Sequence, residues 1–358
     1  MSNSHDHGGT IFTVARTLGV ATAQILDFSA SINPLGMSPL VRAALTSSLD
    51  SLVHYPDASH IEIKQALANY HSLPLQNFTI ANGSTGLIYN LPAVLPGKKA
   101  LIISPSFSEY VRALKQHGWE AGHFVLTPEN DFFIDLAKLE RSLAGGVDAL
   151  FLCNPGNPNG TLYSRKLIEQ IYTLCLSAGT FLVLDEAFMD FCEECSAKQM
   201  ITACDKAIIL RSMTKYFAIP GLRLGYAICN EPLAKRLESM GGPWSVNTLA
   251  LTAGVAALQD TPHNRRTLEY IWQERAKLSQ LLGQFSQLKV YPSSANYLLL
   301  EITNNQTSLE IKEELLLHRI LIRDCASFTG LTDKFFRIAV RTEEENTSLI
   351  EKLGRILK

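Results

Sequence analysis

Apolar residues between positions 100 and 240 fall into two alternating rhythms. Short, largely apolar runs at 100–104, 122–126, 149–153, 181–185, 207–211 and 224–229 have the length of buried strands. Between them, 111–117, 136–143, 164–178 and 233–240 carry apolar residues three and four apart, the spacing of a helix with one buried face. Strand and helix in alternation predict a mostly parallel sheet covered by helices on both sides. After Pro243 the rhythm changes. Two long helical stretches, 247–259 and 262–285, precede strands near 295–302, 320–323 and 336–340, with helices near 308–318 and 343–357. We therefore expect an α/β chain with an N-terminal arm (1–36), a large domain (37–243) and a smaller α+β C-terminal domain (244–358). No internal repeat or low-complexity tract interrupts it.

The length of 358 residues agrees with more than one core. A formal net charge of −2 leaves no electrostatic footprint for nucleic acid or a membrane surface. No apolar run approaches the ~18–20 residues that span a bilayer. The start, Met1 to His7, lacks a basic region followed by an apolar one, so no secretory signal is expected. Seven cysteines, an odd number, suit reduced thiols in the cytoplasm. Cys192 and Cys195 form a single C-x-x-C with no second pair, and His5 and His7 alone make a poor cage, so no metal site is expected.

Candidate chemistry centres on Lys215, in Arg211-Ser212-Met213-Thr214-Lys215, with Arg223 eight residues on. A lone lysine after a strand is ordinary surface chemistry. A lysine between a serine and an arginine suits pyridoxal phosphate (PLP): the amine bonds the aldehyde, while Ser212 and Arg223 hold the phosphate. The other requirements occur in workable order. Asp185 ends the apolar run 181–185, where a carboxylate can pair with the pyridine nitrogen and keep it protonated. Asn157, in the turn Asn154-Pro155-Gly156-Asn157-Pro158-Asn159-Gly160, can donate to the phenolic oxygen. Gly83-Ser84-Thr85-Gly86 opens an apolar run, as a helix N-terminus offered to a phosphate would. Phe107 can stack on the ring. Taken singly these are an N-cap, a core aromatic and turn residues; taken together they form a cofactor site.

These residues resemble the fold-type I PLP-dependent aminotransferase superfamily, in the branch that holds the histidinol-phosphate aminotransferases. Two segments are similar to a narrower family, the threonine-phosphate decarboxylases: His7-Gly8-Gly9 with Asp27-Phe28-Ser29-Ala30-Ser31-Ile32-Asn33-Pro34, and Tyr216-Phe217-Ala218-Ile219-Pro220-Gly221-Leu222-Arg223. Further matches run through Tyr55-Pro56-Asp57, Gly242-Pro243-Trp244-Ser245, Ala295-Asn296-Tyr297, Arg319-Ile320-Leu321-Ile322-Arg323 and Phe336-Arg337-Ile338. The resemblance implies decarboxylation of L-threonine O-3-phosphate for cobalamin synthesis. It also implies His7, Gly9, Ser31, Asn33, Asn157, Arg323 and Arg337 as substrate contacts, and a homodimer in which Tyr55 reaches the neighbour's cofactor phosphate. Gly86 and Asn159 depart from the family pattern, where an acidic residue and a threonine are usual. Phe188 stands where aminotransferases generally carry a tyrosine that bonds the phenolic oxygen.

Three rivals remain at this stage. L-serine O-phosphate differs from the expected substrate by one methyl, worth only ~1–3 kcal/mol of discrimination. Histidinol-phosphate aminotransferase shares the phosphate-and-amine logic. A PLP-binding module without catalysis is disfavoured by Lys215 and Asp185 together.

Overall fold

The computed structural model describes residues 8–357. In chain order the strands are β1 (Leu26–Asp27), β2 (Phe78–Asn82), β3 (Lys99–Ser104), β4 (Glu120–Val125), β5 (Ala149–Cys153), β6 (Phe181–Asp185) and β7 (Ala207–Ser212). They continue as β8 (Leu224–Ile228), β9 (Leu288–Val290), β10 (Tyr297–Ile302), β11 (Ile320–Leu321), β12 (Arg323–Asp324) and β13 (Phe335–Ala339).

Strands β2 to β8 form one sheet in the order β2-β8-β7-β6-β5-β3-β4. Strands β3 to β7 pair in parallel, and β8 runs antiparallel to both β7 and β2. The reversal follows from connection length. A parallel neighbour needs a crossover of a dozen or more residues, whereas β7 and β8 are joined only by the loop 213–223. That loop carries Lys215. Strand β2, whose short apolar run did not stand out in the sequence, closes the edge beside β8.

A second, antiparallel sheet has the order β12-β13-β10-β9. The strand expected at 320–323 is two strands with different partners. Ile320 and Leu321 pair in parallel with Leu26 and Asp27, and Arg323 pairs with Arg337 of β13. No single straight strand can serve both, so the chain changes partner at Ile322. The N-terminal helix Ile11–Leu18 joins this region through Ala15, which packs with Ile25 and Leu321. Helices Ser308–Leu317 and Glu343–Ile356 open with capping boxes, Thr307 with Glu310 and Thr342 with Glu345. Among the described residues, no helix is long and apolar enough to cross a membrane.

Strand alternation sends neighbours to opposite faces. Arg211, one residue before Ser212, is fully buried in a charge cluster. Its Nη1 donates to Glu186 Oε2 at 2.9 Å and its Nη2 to Asp190 Oδ1 at 3.2 Å, with Glu193 as a third carboxylate partner. Burial pushes Asp190 up to about 6 despite Arg211. His71, bonded through Nε2 to the Tyr226 hydroxyl at 2.7 Å, is lowered by burial to about 4 and is neutral at pH 7.

Arg211→Met should therefore leave buried carboxylates without their cation. Breaking such a cluster costs about 3–5 kcal/mol, to be read as a fall in unfolding free energy in urea. Lys235→Ala, which breaks an exposed pair with Glu231, should leave the same curve unchanged. Equal curves for all three proteins would show that the cluster holds nothing together.

Candidate active site

Strands β5, β6 and β7 end on one edge of the large sheet, at Cys153, Asp185 and Ser212. Carboxyl ends of parallel strands are where open α/β sheets receive ligands. A cavity of about 640 Å³ opens there. Lys215 lies at its base, Asp185, Phe107 and Ala187 line its wall, and Arg323 and Arg337 face it from the second sheet.

Lys215 Nζ donates to Thr214 Oγ1 at 2.7 Å and Ser212 Oγ at 3.5 Å, and sits 5.7 Å from the Phe188 ring centre. Burial lowers its pKa from 10.5 to about 8, against the attraction of Asp185 and with the repulsion of Arg223 and Arg337. A neutral amine is thus within reach near neutral pH, as carbonyl chemistry requires.

Asp185 accepts the Ala187 N–H on Oδ1 at 2.9 Å and the Tyr110 hydroxyl on Oδ2 at 2.5 Å. Burial raises its carboxyl; Tyr110, the Ala187 N–H and Lys215 pull the other way. The sequence reading passed over Tyr110. The available signal was its position three residues after Phe107; the two rings meet edge to face at 5.9 Å.

At the other end, the helix Gly83–Val94 presents its N-terminus, with Ser84 and Thr85 lining the cavity. Two glycines allow this approach. A Cβ on Gly225 of β8 would lie 2.3 Å from Ser84 N. Gly83, at φ +75°, would place a Cβ 2.8 Å from Arg223 Nη2. Free N–H groups, the helix dipole, hydroxyls and a guanidinium converge there, which suits a phosphate dianion. Ser212, expected to hold that phosphate, is buried with its Oγ 2.8 Å from Thr214 Oγ1 and 3.5 Å from Lys215 Nζ, and Thr214 lines the cavity beside it. The donor set therefore fits PLP: an amine, a carboxylate for the ring nitrogen, Phe107 and Ala187 along its walls, and an anion cradle.

Asn157 lines the cavity, and its Oδ1 accepts Arg337 Nη1 at 2.5 Å, which fixes the amide's orientation. Arg337 Nη2 donates to Ser29 O at 3.1 Å, and the guanidinium lies 4.8 Å from the Tyr297 ring centre. Ser31 lines the cavity with a buried Oγ that has no partner. Gly9 is also present, its N–H donating to Ser29 Oγ at 3.1 Å.

One expected substrate contact lies elsewhere, and another cannot be placed. Asn33 is buried away from the cavity: its amide donates to Tyr216 O and Thr267 Oγ1, both at 3.0 Å, and its oxygen accepts the Leu35 N–H. Its own N–H donates to Lys215 O at 3.0 Å, so it braces the lysine loop. Tyr55, expected to serve a neighbour's site and not this cavity, is 78% exposed and stacks on Trp244 at 4.5 Å. His7 lies outside the described residues. Of the two family departures, Asn159 closes its turn by accepting the Thr161 N–H at 3.2 Å, and Gly86 sits without crowding beside Ala81. All seven cysteines are free thiols.

Residues 23–353 match the aminotransferase class I and II family. The chain is 40% identical to a threonine-phosphate decarboxylase of Salmonella typhimurium over 353 residues, 98% of this chain and 96% of that protein. It is 31% identical to the adenosylcobalamin biosynthesis bifunctional protein CobDQ of Leptospira interrogans, where it covers 41% of the longer protein and 99% of itself. Among solved structures, it is similar to the histidinol-phosphate aminotransferase of Clostridium acetobutylicum, with a TM-score of 0.87, 30% identity, and coverage of 93% of this chain and 99% of that one.

Tyr110→Phe removes one donor from Asp185. Hydrogen bonds to a charged group are worth about 1.5–3 kcal/mol, so kcat should fall roughly ten- to a hundredfold with KM little changed. The bound cofactor's absorption should also titrate differently, because the ring nitrogen loses part of its counter-charge. An unaltered spectrum would mean that the bond is incidental. Capture of PLP by the apoenzyme should rise with pH through a midpoint near 8, as Lys215 loses its proton. Arg337→Met removes a cation that disfavours the ammonium, so the midpoint should move up; a downward move contradicts the assignment.

Proposed function

The chain belongs to the aminotransferase class I and II family, and within it we propose a PLP-dependent decarboxylase. It converts L-threonine O-3-phosphate to (R)-1-amino-2-propanol O-2-phosphate, for cobalamin biosynthesis. The observation that carries this reading is the pairing of Arg323 with Arg337. They stand directly opposite in the antiparallel register of β12 and β13, each 7% exposed, and both face the Lys215 cavity. Like charges opposed across a strand pair are destabilising, and Arg323 contributes to lowering the pKa of Arg337, after burial. An anion entering the cavity would be met by both guanidiniums. A substrate with both a carboxylate and a phosphate supplies that anion while the helix end at Ser84 holds the cofactor's own phosphate.

PLP, when bound, supplies an electron sink for the pair released at the substrate's α-carbon. The chain's residues decide which bond supplies it. Asp185, buttressed by Tyr110, holds a proton on the ring nitrogen. Arg323, Arg337 and the Ser29–Ser31 segment bind the substrate's anionic groups and set its rotation. With PLP bound, the rotation set by these residues would decide which bond at the α-carbon gives up its electron pair, and a carboxylate turned for loss would leave as CO2. Lys215 is the one lysine lining the cavity among the described residues, and is the group to hold the proton that the α-carbon then receives. Phe188 donates nothing to the phenolic oxygen, which leaves Asn157 as its side-chain donor.

The same reading includes a homodimer. Exposed Tyr55, stacked on half-exposed Trp244, with Val53 80% exposed nearby in the chain, supports a partner surface there. Free thiols throughout support a reducing, cytoplasmic setting.

The test incubates holoenzyme with L-threonine O-3-phosphate, L-serine O-phosphate or histidinol phosphate with 2-oxoglutarate. The expected result is CO2 from threonine phosphate with a higher kcat/KM than from serine phosphate, and little glutamate. Arg337→Met should lower kcat/KM by about a hundredfold, since it removes a bidentate partner of a dianion. Glutamate formation from histidinol phosphate without CO2 release would replace this reading by an aminotransferase.

A further inference from the structure

Tyr297 is the first residue of β10 and is fully buried. Two side chains that line the catalytic cavity, Arg337 and Phe188, rest on its ring. The turn that carries a third, Asn157, is held by its hydroxyl. In the antiparallel register Tyr297 pairs with Ala339, and Arg337 lies two residues before Ala339 on β13. Directly opposed residues share a face, so Tyr297 and Arg337 are diagonal neighbours on one side of the sheet, within reach of long side chains. The guanidinium lies 4.8 Å from the ring centre, the distance of a cation–π contact. The Phe188 ring meets the tyrosine ring at 4.9 Å and 83°, the edge-to-face arrangement that aromatic quadrupoles favour.

The hydroxyl reaches from the second sheet to the turn after β5. It donates to Gly156 O at 2.5 Å, across 141 positions. The same oxygen accepts the Gly160 N–H at 2.7 Å, the bond that closes the turn. Asn157 is the next residue, and its Oδ1 accepts Arg337 Nη1 at 2.5 Å. The contacts thus form a ring: Tyr297 holds Arg337 and the Asn157 turn, and those two residues bond each other. Burial raises the Tyr297 hydroxyl well above its ordinary pKa, so it keeps its proton and remains a donor.

We infer that Tyr297 is a positioning residue for the reaction, fixing the guanidinium of Arg337 and the amide of Asn157 against each other. With Oδ1 committed to Arg337, the Asn157 Nδ2 is the end that donates to the cofactor's phenolic oxygen. Anion binding and that donation are therefore set by one side chain behind the cavity wall. The inference rests on the function proposed above, because it takes Arg337 as a partner of the substrate's anionic groups.

Tyr297→Phe keeps the ring and removes the hydroxyl; Tyr297→Leu removes both. Each holoenzyme is read by the pH titration of the bound cofactor's visible absorption. The Kd of 1-amino-2-propanol O-2-phosphate is followed by the same absorption, and urea unfolding reports stability. For Tyr297→Phe the titration midpoint should rise by about 0.3 to 1 pH unit. A slackened Asn157 gives the phenolic oxygen less of the hydrogen bond that stabilises its charged form. Its Kd should rise by less than about threefold. Tyr297→Leu should show the same rise in midpoint and a Kd weakened about fivefold to thirtyfold, since the cation–π contact is also lost. In an Arg337→Met background, Tyr297→Leu should change the Kd by less than about twofold, because the ring acts through the guanidinium. A midpoint that stays in place for Tyr297→Phe overturns the positioning role, as does a Tyr297→Leu effect on Kd undiminished by Arg337→Met. A fall in unfolding free energy with neither readout altered likewise reduces Tyr297 to core packing. The midpoint needs no substrate, so it decides for or against Tyr297 even if wild-type holoenzyme releases no CO2 from threonine phosphate, the outcome that would sink the proposed function.

Discussion

A buried primary amine is the constraint on which the rest depends. Lys215 must be near neutral to react, and water would keep it charged. Burial at the base of a cavity brings it to about 8, and the strand order places it there. Because β8 returns antiparallel beside β7, the loop between them stays short and turns the lysine toward the ends of β5 and β6. Asn33 braces the loop from outside by donating to the Lys215 carbonyl. The amine, the carboxylate of Asp185 and the amide of Asn157 therefore converge on one sheet edge.

Charge is sorted by strand alternation. Asp185 faces the cavity, while its neighbour Glu186 turns to the far side and pairs with Arg211. Arg211 gathers Glu186, Asp190 and Glu193 behind the sheet. Among the described residues, the cavity keeps Asp27 and Asp185 as its acids against Lys215, Arg223, Arg323 and Arg337. A site that receives anions needs this imbalance.

Fold similarity alone does not separate lyase from aminotransferase. The solved structure with a TM-score of 0.87 is an aminotransferase, while a relative 40% identical over nearly the whole chain is a decarboxylase. The two chemistries share the cofactor's support and differ in how the substrate carboxylate is turned. In this chain Arg323, Arg337, Ser29 and Ser31 line the cavity in which that turn would be set.

The sequence by itself determined the alternating sheet and the change of pattern after Pro243, and it singled out Ser84, Thr85, Phe107, Asn157, Asp185, Lys215 and Arg223, which the fold brings to one cavity. Each of these sits beside a local signal, such as a strand end, a glycine-opened helix or a proline turn. What only tertiary structure decided depends on contacts between distant segments. Tyr110 meets Asp185 across 75 positions, and no periodicity encodes that bond. Ser31 and Asn33 differ by two residues: one opens to the cavity and the other is held by Tyr216 and Thr267. The split of 320–323 arose because β1 and β13 compete for one short segment. Local pattern names the chemistry; which oxygen or nitrogen reaches it is fixed by packing across the chain.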